Sequence, residues 1–201
     1  MTANRRNLVL TGFMGTGKSS VGQHVAGALE RPFVDMDALI VEREGMSIPQ
    51  IFRERGEDAF RRLEHELCQE LSAREGLVIA TGGGALVNTE NRRLMEQGGC
   101  VICLDCAPGE LVERLGQGEG RPMLRGDDPT ERMRELLEAR RPAYARIPHH
   151  VDTTDLSIDR VVERILDIFC ADPTVWRVTT PTGGYQIHLQ PGGLSSLGAL
   201  L

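Results

Sequence analysis

Residues 8–22 read LVLTGFMGTGKSSVG. An apolar run enters the segment, and Gly12-x-x-x-x-Gly17-Lys18-Ser19 follows it. Glycines at this spacing let backbone N–H groups turn inward and cradle an anion. A helix starting near Lys18 would point its positive end at the same anion. Lys18 would then reach the β- and γ-phosphates of a nucleoside triphosphate, and the Ser19 hydroxyl would ligate Mg²⁺. A plain glycine turn between a strand and a helix is the alternative. Composition weighs against it: of 23 basic residues, Lys18 is the single lysine. The chain uses arginine everywhere else and keeps a compact ammonium on a flexible stem only here. No guanine-reading Asn-Lys-x-Asp occurs, so the expected nucleotide is ATP.

The loop sits at the head of a strand–helix alternation. NLVLTG (7–12), PFVDMD (32–37), GLVIATG (76–82), CVICLD (100–105) and HHVDTT (149–154) read as strands. Helices are expected over about 18–29, 57–75, 89–97, 108–115, 129–146 and 157–170. In the second, Phe60, Leu63, Leu67 and Leu71 recur at three- and four-residue steps. Apolar strands alternating with amphipathic helices imply an α/β fold. Its core is a five-stranded parallel sheet with helices on both faces, and ligands bind at the carboxyl ends of the strands. GQGEGRPMLRGDDP (116–129) has almost nothing to bury and is expected to be a mobile lid loop.

The totals exclude several classes. A length of 201 residues suits one domain with a short extra piece. A net charge of −6 makes a poor general nucleic-acid binder. No apolar run is long enough to span a bilayer, and the N-terminus lacks a cleavage-type site. Five cysteines, an odd number, argue against a secreted disulfide framework, so the expected compartment is the cytoplasm. Cys100-x-x-Cys103-x-x-Cys106 resembles part of an iron–sulfur run, but Glu110 stands where a fourth cysteine would be. The plainer reading is a buried strand with Cys100 and Cys103 on opposite faces.

Two features address the acceptor. Asp35 and Asp37, in FVDMD, are expected at the end of the second strand and on the same side of it. One carboxylate would help hold Mg²⁺ while the other faces an acceptor hydroxyl; a pair of solvated aspartates is the alternative. Gly82-Gly83-Gly84 ends the third strand. Three consecutive glycines are costly in entropy. They fit either a backbone that must approach a ligand closely or a flexible turn.

Together GFMGTGKSSVG, FVDMD, GEDAFRRLE, ATGGGA, RPML and RRPAYA resemble shikimate kinase over about residues 7–170. The resemblance implies a P-loop kinase fold of the nucleoside-monophosphate-kinase type, with ATP and shikimate as substrates and shikimate 3-phosphate as product. It implies an ATP site at Gly12, Gly15, Thr16, Gly17, Lys18, Ser19 and Ser20, with Arg114 stacked on adenine and Arg121, in the lid, on the transferring phosphate. Asp35 would join Ser19 in the Mg²⁺ site. Asp37 would bind the shikimate hydroxyls and act as base for the attacking one. Arg61 and Arg140 would hold the carboxylate, Glu64 would keep that arrangement in place, and Gly82, Gly83 and Gly84 would contact the ring. Family members often place a basic residue near adenine after the last strand; here the stretch is Asp155-Leu156-Ser157-Ile158. Without the resemblance, Arg61 with Glu64 reads as a helix-surface ion pair, and Arg114 and Arg140 as solvated charges.

Residues 173–201 differ in composition from the rest and hold the only tryptophan. YQIHL reads as a strand and LSSLGALL as the start of a helix. The tail resembles the opening of 3-dehydroquinate synthase, implying a kinase domain over 1–172 joined to the start of a second enzyme. An ordinary C-terminal extension is the other reading. An opening strand without its sheet would be disordered or would pair with an exposed edge elsewhere. The kinase itself is expected to be a monomer. The competing functions are a kinase for another hydroxylated acid, such as gluconate, and a nucleotide-gated binding protein without catalysis.

Overall fold

A computed structural model describes residues 5–115 and 129–171, and the backbone of 174–180 and 183–189. β1 (Asn7–Gly12) is buried along its whole length. It lies at the centre of a five-stranded sheet ordered β2-β3-β1-β4-β5, with β2 Phe33–Asp35, β3 Val78–Ala80, β4 Gly99–Asp105 and β5 His149–Asp152. Every pairing in it is parallel. All five expected strands are present, most of them shorter than expected.

The pleat divides the core in two. Leu8, Leu10, Cys100 and Ile102 pack against Val21 and Val25 of α1 (Lys18–Leu29) and Val161 and Ile165 of α8 (Ile158–Ala171). Val9, Ile79, Val101 and Cys103 pack on the other face, with Phe60, Leu67 and Leu71 of α4 (Glu57–Ser72). Cys100 and Cys103 are therefore on opposite faces, as the buried-strand reading expects, and cannot share an iron–sulfur cluster.

Two helices were not legible in the sequence: α2 (Met36–Glu44) and α3 (Ile48–Arg55). They correct the placement of the paired aspartates. Asp35 ends β2, and its side chain accepts from the Ala38 N–H, which caps α2. Asp37 therefore lies in the first turn of a helix and not on the strand. The carboxylate at the cap satisfies an orphan N–H, and that turns the chain two residues early. α3 begins with a capping box, Ser47 N–H donating to Gln50 Oε1 at 2.8 Å, and has Pro49 in its first turn.

The remaining helices are α5 (Thr89–Gly98), α6 (Pro108–Leu115) and α7 (Pro129–Tyr144), with a 3₁₀ turn at Ala85–Val87. In the tail, β6 (Thr174–Thr180) and β7 (Gly183–Leu189) form a separate antiparallel pair, Trp176 opposite Ile187 and Val178 opposite Tyr185. The expected YQIHL strand thus has its partner in the segment just before it. The expected lid with Arg121, and the expected helix from Leu194, lie outside the described residues.

Candidate active site

The phosphate loop joins β1 to α1. Gly12, Gly15 and Gly17 have φ of 131°, 85° and 91°, where L side chains are strained. A Cβ on Gly12 would also collide with the Leu104 carbonyl oxygen of β4. Among the described residues no side chain caps the start of α1, so its first N–H groups face the loop. Lys18 Nζ donates to the carbonyls of Gly12 (3.1 Å) and Phe13 (2.8 Å), and Thr16 Oγ1 donates to Phe13 (2.8 Å). Ser19 Oγ donates to Asp35 Oδ2 at 2.5 Å. The two residues expected at the metal are thus in direct contact.

The residues expected at the acceptor gather around Gly82–Gly84, just past the carboxyl end of β3. Glu64 is 1% exposed. Its Oε2 accepts from Arg61 Nη1 at 2.7 Å, while Oε1, also buried, has no hydrogen-bond partner among the described residues. Burial pushes the Glu64 carboxyl above its ordinary range; nearby Asp37 adds to this, while Arg61 and Arg140 oppose it. Arg61 also donates to Glu57 at 2.7 Å. Burial works against its charge, but Glu64 and Glu57 outweigh that and hold the guanidinium above its usual value. Arg140, only 7% exposed, donates to the Gly83 carbonyl at 3.1 Å and lies 5.8 Å from the centre of the Phe13 ring. The surface ion-pair and solvated-charge readings of Arg61 and Arg140 therefore fail.

The glycines are required by side chains that crowd them. A Cβ on Gly82 would sit 2.6 Å from Asp37 Oδ1 and 2.7 Å from Glu64 Oε1. One on Gly84 would sit 2.5 Å from Arg61 Nη1, and one on Gly83 would press on the Met14 N–H at 3.2 Å. A flexible turn needs no such approach. Asp37, Glu64, Arg61 and Arg140 all border this triplet, and Met14 ties it to the phosphate loop.

Arg114 lies at the other end of the loop. It donates to the carbonyls of Thr153 (3.1 Å) and Gly15 (3.4 Å) and pairs with Glu110. With Gly15, Thr16, Gly17, Ser20, Leu156 and Ile158 it lines a cavity of about 380 Å³. In the stretch that lacks the expected basic residue, Leu156 and Ile158 supply apolar wall. Tyr144 was missed in the sequence: its hydroxyl donates to the Gly83 carbonyl at 2.5 Å, and burial pushes its phenol up to about 12. It stands four residues after Arg140 on α7, a spacing that puts both on one face.

The shikimate kinase family matches residues 14–169 of this chain. The chain belongs to that family. A shikimate kinase of Dechloromonas aromatica is 42% identical over 167 residues, covering 83% of this chain and 91% of that protein. One of Thermus thermophilus is 43% identical over 161 residues, covering 80% and 88%. Among solved structures, a shikimate kinase from Acinetobacter baumannii in complex with shikimate superposes with a TM-score of 0.79 at 35% identity, covering 83% of this chain and 93% of that one. Shikimate kinases share the parallel sheet and flanking helices seen here.

Proposed function

We propose that this chain transfers the γ-phosphoryl group of ATP to the 3-hydroxyl of shikimate, releasing ADP and shikimate 3-phosphate. The observation that carries the reading is the gathering of Arg61, Glu64, Asp37 and Arg140 on a glycine triplet beside the phosphate loop. Shikimate is a small anion with three hydroxyls. Two guanidinium forks would fix its carboxylate and so set which hydroxyl faces the phosphate. Glu64, bonded to Arg61, holds that fork in place. Asp37 would bind the hydroxyls and take the proton as the acceptor oxygen bonds to phosphorus and the bond to the β-phosphate oxygen breaks.

Lys18 would exchange the neutral carbonyls of Gly12 and Phe13 for charged phosphate oxygens, which bind an ammonium more strongly. Gly12, Gly15, Thr16, Gly17, Ser19 and Ser20 would line the phosphates. Arg114 would stack on adenine, and Arg121 would meet the transferring group. Ser19 and Asp35 would hold Mg²⁺; a hydroxyl beside a carboxylate is a hard oxygen pair that suits it. That ion supplies positive charge to the phosphate oxygens.

Lys18, Asp35 and Asp37 are all retained, which disfavours a binding protein that has lost catalysis. ADP release from Mg-ATP with shikimate, with gluconate and with no acceptor separates the readings. Turnover with shikimate alone supports this one. Turnover with gluconate, or equal release without acceptor, contradicts it.

The five thiols are free of disulfides, which supports a cytoplasmic setting. Among the described residues no helix is long and apolar enough to cross a membrane. We place the kinase domain, acting as a monomer, in residues 1–172 and assign 173–201 to the start of a 3-dehydroquinate-synthase-like domain. The family match ends at residue 169, and β6 and β7 form their own sheet. A stop codon directly after Leu201 in the intact gene would contradict that assignment.

A further inference from the structure

Cys103, Asp105 and His150 carry none of the roles proposed above for the phosphate and acceptor sites. The pleat of β4 puts Cys103 and Asp105, two residues apart, on one face. The parallel register sets His150 of β5 beside Cys103, so the imidazole joins that face. Cys103 Sγ, a carboxylate oxygen of Asp105 and a ring nitrogen of His150 lie within 4.8 Å of one another. The thiol donates to Asp105 Oδ1 at 3.7 Å. His150 Nε2 is 3.1 Å from the Ile147 carbonyl, and Nδ1 is 2.7 Å from Asp105 Oδ2. Nε2–H donated to a backbone carbonyl fixes the ring and turns Nδ1 towards the carboxylate, the orientation found in metal-bound histidines. Two lone pairs that close need a proton or a metal ion between them.

We propose that Cys103, Asp105 and His150 form a site for a thiophilic divalent cation, Zn²⁺ being the best match, separate from the Mg²⁺ of phosphoryl transfer. One thiolate, one imidazole and one carboxylate are zinc donors, whereas Mg²⁺ prefers an all-oxygen octahedron. Donors on a tetrahedral zinc ion lie about 3.5 Å apart, so closing this set takes shifts of about an ångström. Asp105 and His150 also line a cavity of about 240 Å³, whose wall includes Phe13, Thr16, Leu137 and Tyr144, with room for a water ligand. Binding replaces the thiol proton and the proton between Nδ1 and Asp105, and both leave to solvent.

The test uses the full chain, stripped of metal with a chelator and titrated with Co²⁺ as a coloured stand-in for Zn²⁺. One equivalent should bind with a thiolate-to-cobalt charge-transfer band in the near ultraviolet. Zn²⁺ should displace it and excess Mg²⁺ should not. Cys103→Ser should abolish the band, while Cys106→Ser and Cys170→Ser retain it. His150→Gln, at an exposed position that threatens the fold little, should weaken Zn²⁺ at least as much as loss of an outer partner does in metal sites, roughly 10–100-fold. Failure to take up Co²⁺, a band that survives Cys103→Ser, or Zn²⁺ affinity unchanged in His150→Gln would overturn the site.

Discussion

Around the glycine triplet, Glu64 and Arg140 are charged groups taken out of water and held by fixed partners. At the phosphate loop, Lys18 and Ser19 instead bond to the loop's own carbonyls and to Asp35. The proposed acceptor side is thus assembled in advance, with its charges already held by partners within the chain. The proposed phosphate side would trade internal partners for ligand ones. Burying charge is costly unless it is paired, so the first arrangement spends stability on orientation. The second gives the Lys18 ammonium and the Ser19 hydroxyl exchangeable partners within the chain.

Substitutions can break this contrast from either side. The largest effect should come from Asp37→Asn, which removes the proposed base. The rate constant should fall by roughly 10²–10⁴-fold with ATP still bound and the fold intact, read by turnover and nucleotide titration. Wild-type turnover would remove Asp37 from the mechanism. Arg61→Ala should cost the acceptor about 1.5–3 kcal/mol, roughly ten- to a hundredfold in its KM, with little change for ATP. Equal losses for both substrates would point to misfolding instead.

Gly84→Ala would push a methyl against the Arg61 guanidinium, 2.5 Å from Nη1. A smaller, acceptor-specific loss is expected, since a guanidinium can shift where a backbone cannot. Arg114→Ala should act on the opposite half. It should raise the KM for ATP by about tenfold or less, the scale of a cation–π contact, and leave the acceptor unaffected.

The smallest effect concerns pH. The folded protein holds the Glu64 proton more tightly than the unfolded chain does, because burial raises its pKa. The folded state therefore binds more protons, and stability falls as pH rises from the ordinary glutamate range through the raised value. Relative to Glu64→Gln, the wild type should be at its best below that window and lose ground across it in thermal melts. A difference that grows with pH would mean that Arg61 overcompensates for burial.

Much of this was legible because the physics is local. Gly12, Gly17 and Lys18 declare the phosphate loop through φ angles and charge that side chains elsewhere cannot replace. The strands were legible from apolar runs buried on both faces. α2 was not: Met36 and Ile40 are its only buried residues, too few to show a helical period. The available signal is Asp35, a strand residue whose carboxylate also caps the helix, which leaves Asp37 in the first turn of α2. Ser47 and Gln50 likewise mark the start of α3 through a capping box, with Pro49 in the first turn. Arg61 and Arg140 look like solvated charges until the fold brings the glycine triplet beneath them. That contact joins residues far apart in sequence, so no local pattern reports it. The proximity of Cys103 to His150 depends in the same way on the register between β4 and β5.

The most direct test is a crystal structure with shikimate and a non-hydrolysable ATP analogue bound together. The account predicts the shikimate carboxylate on Arg61 and Arg140, its ring over Gly82–Gly84, and its 3-hydroxyl beside Asp37, about 3–3.5 Å from the γ-phosphorus. A carboxylate bound elsewhere, or a 3-hydroxyl turned away from the terminal phosphate, would contradict it.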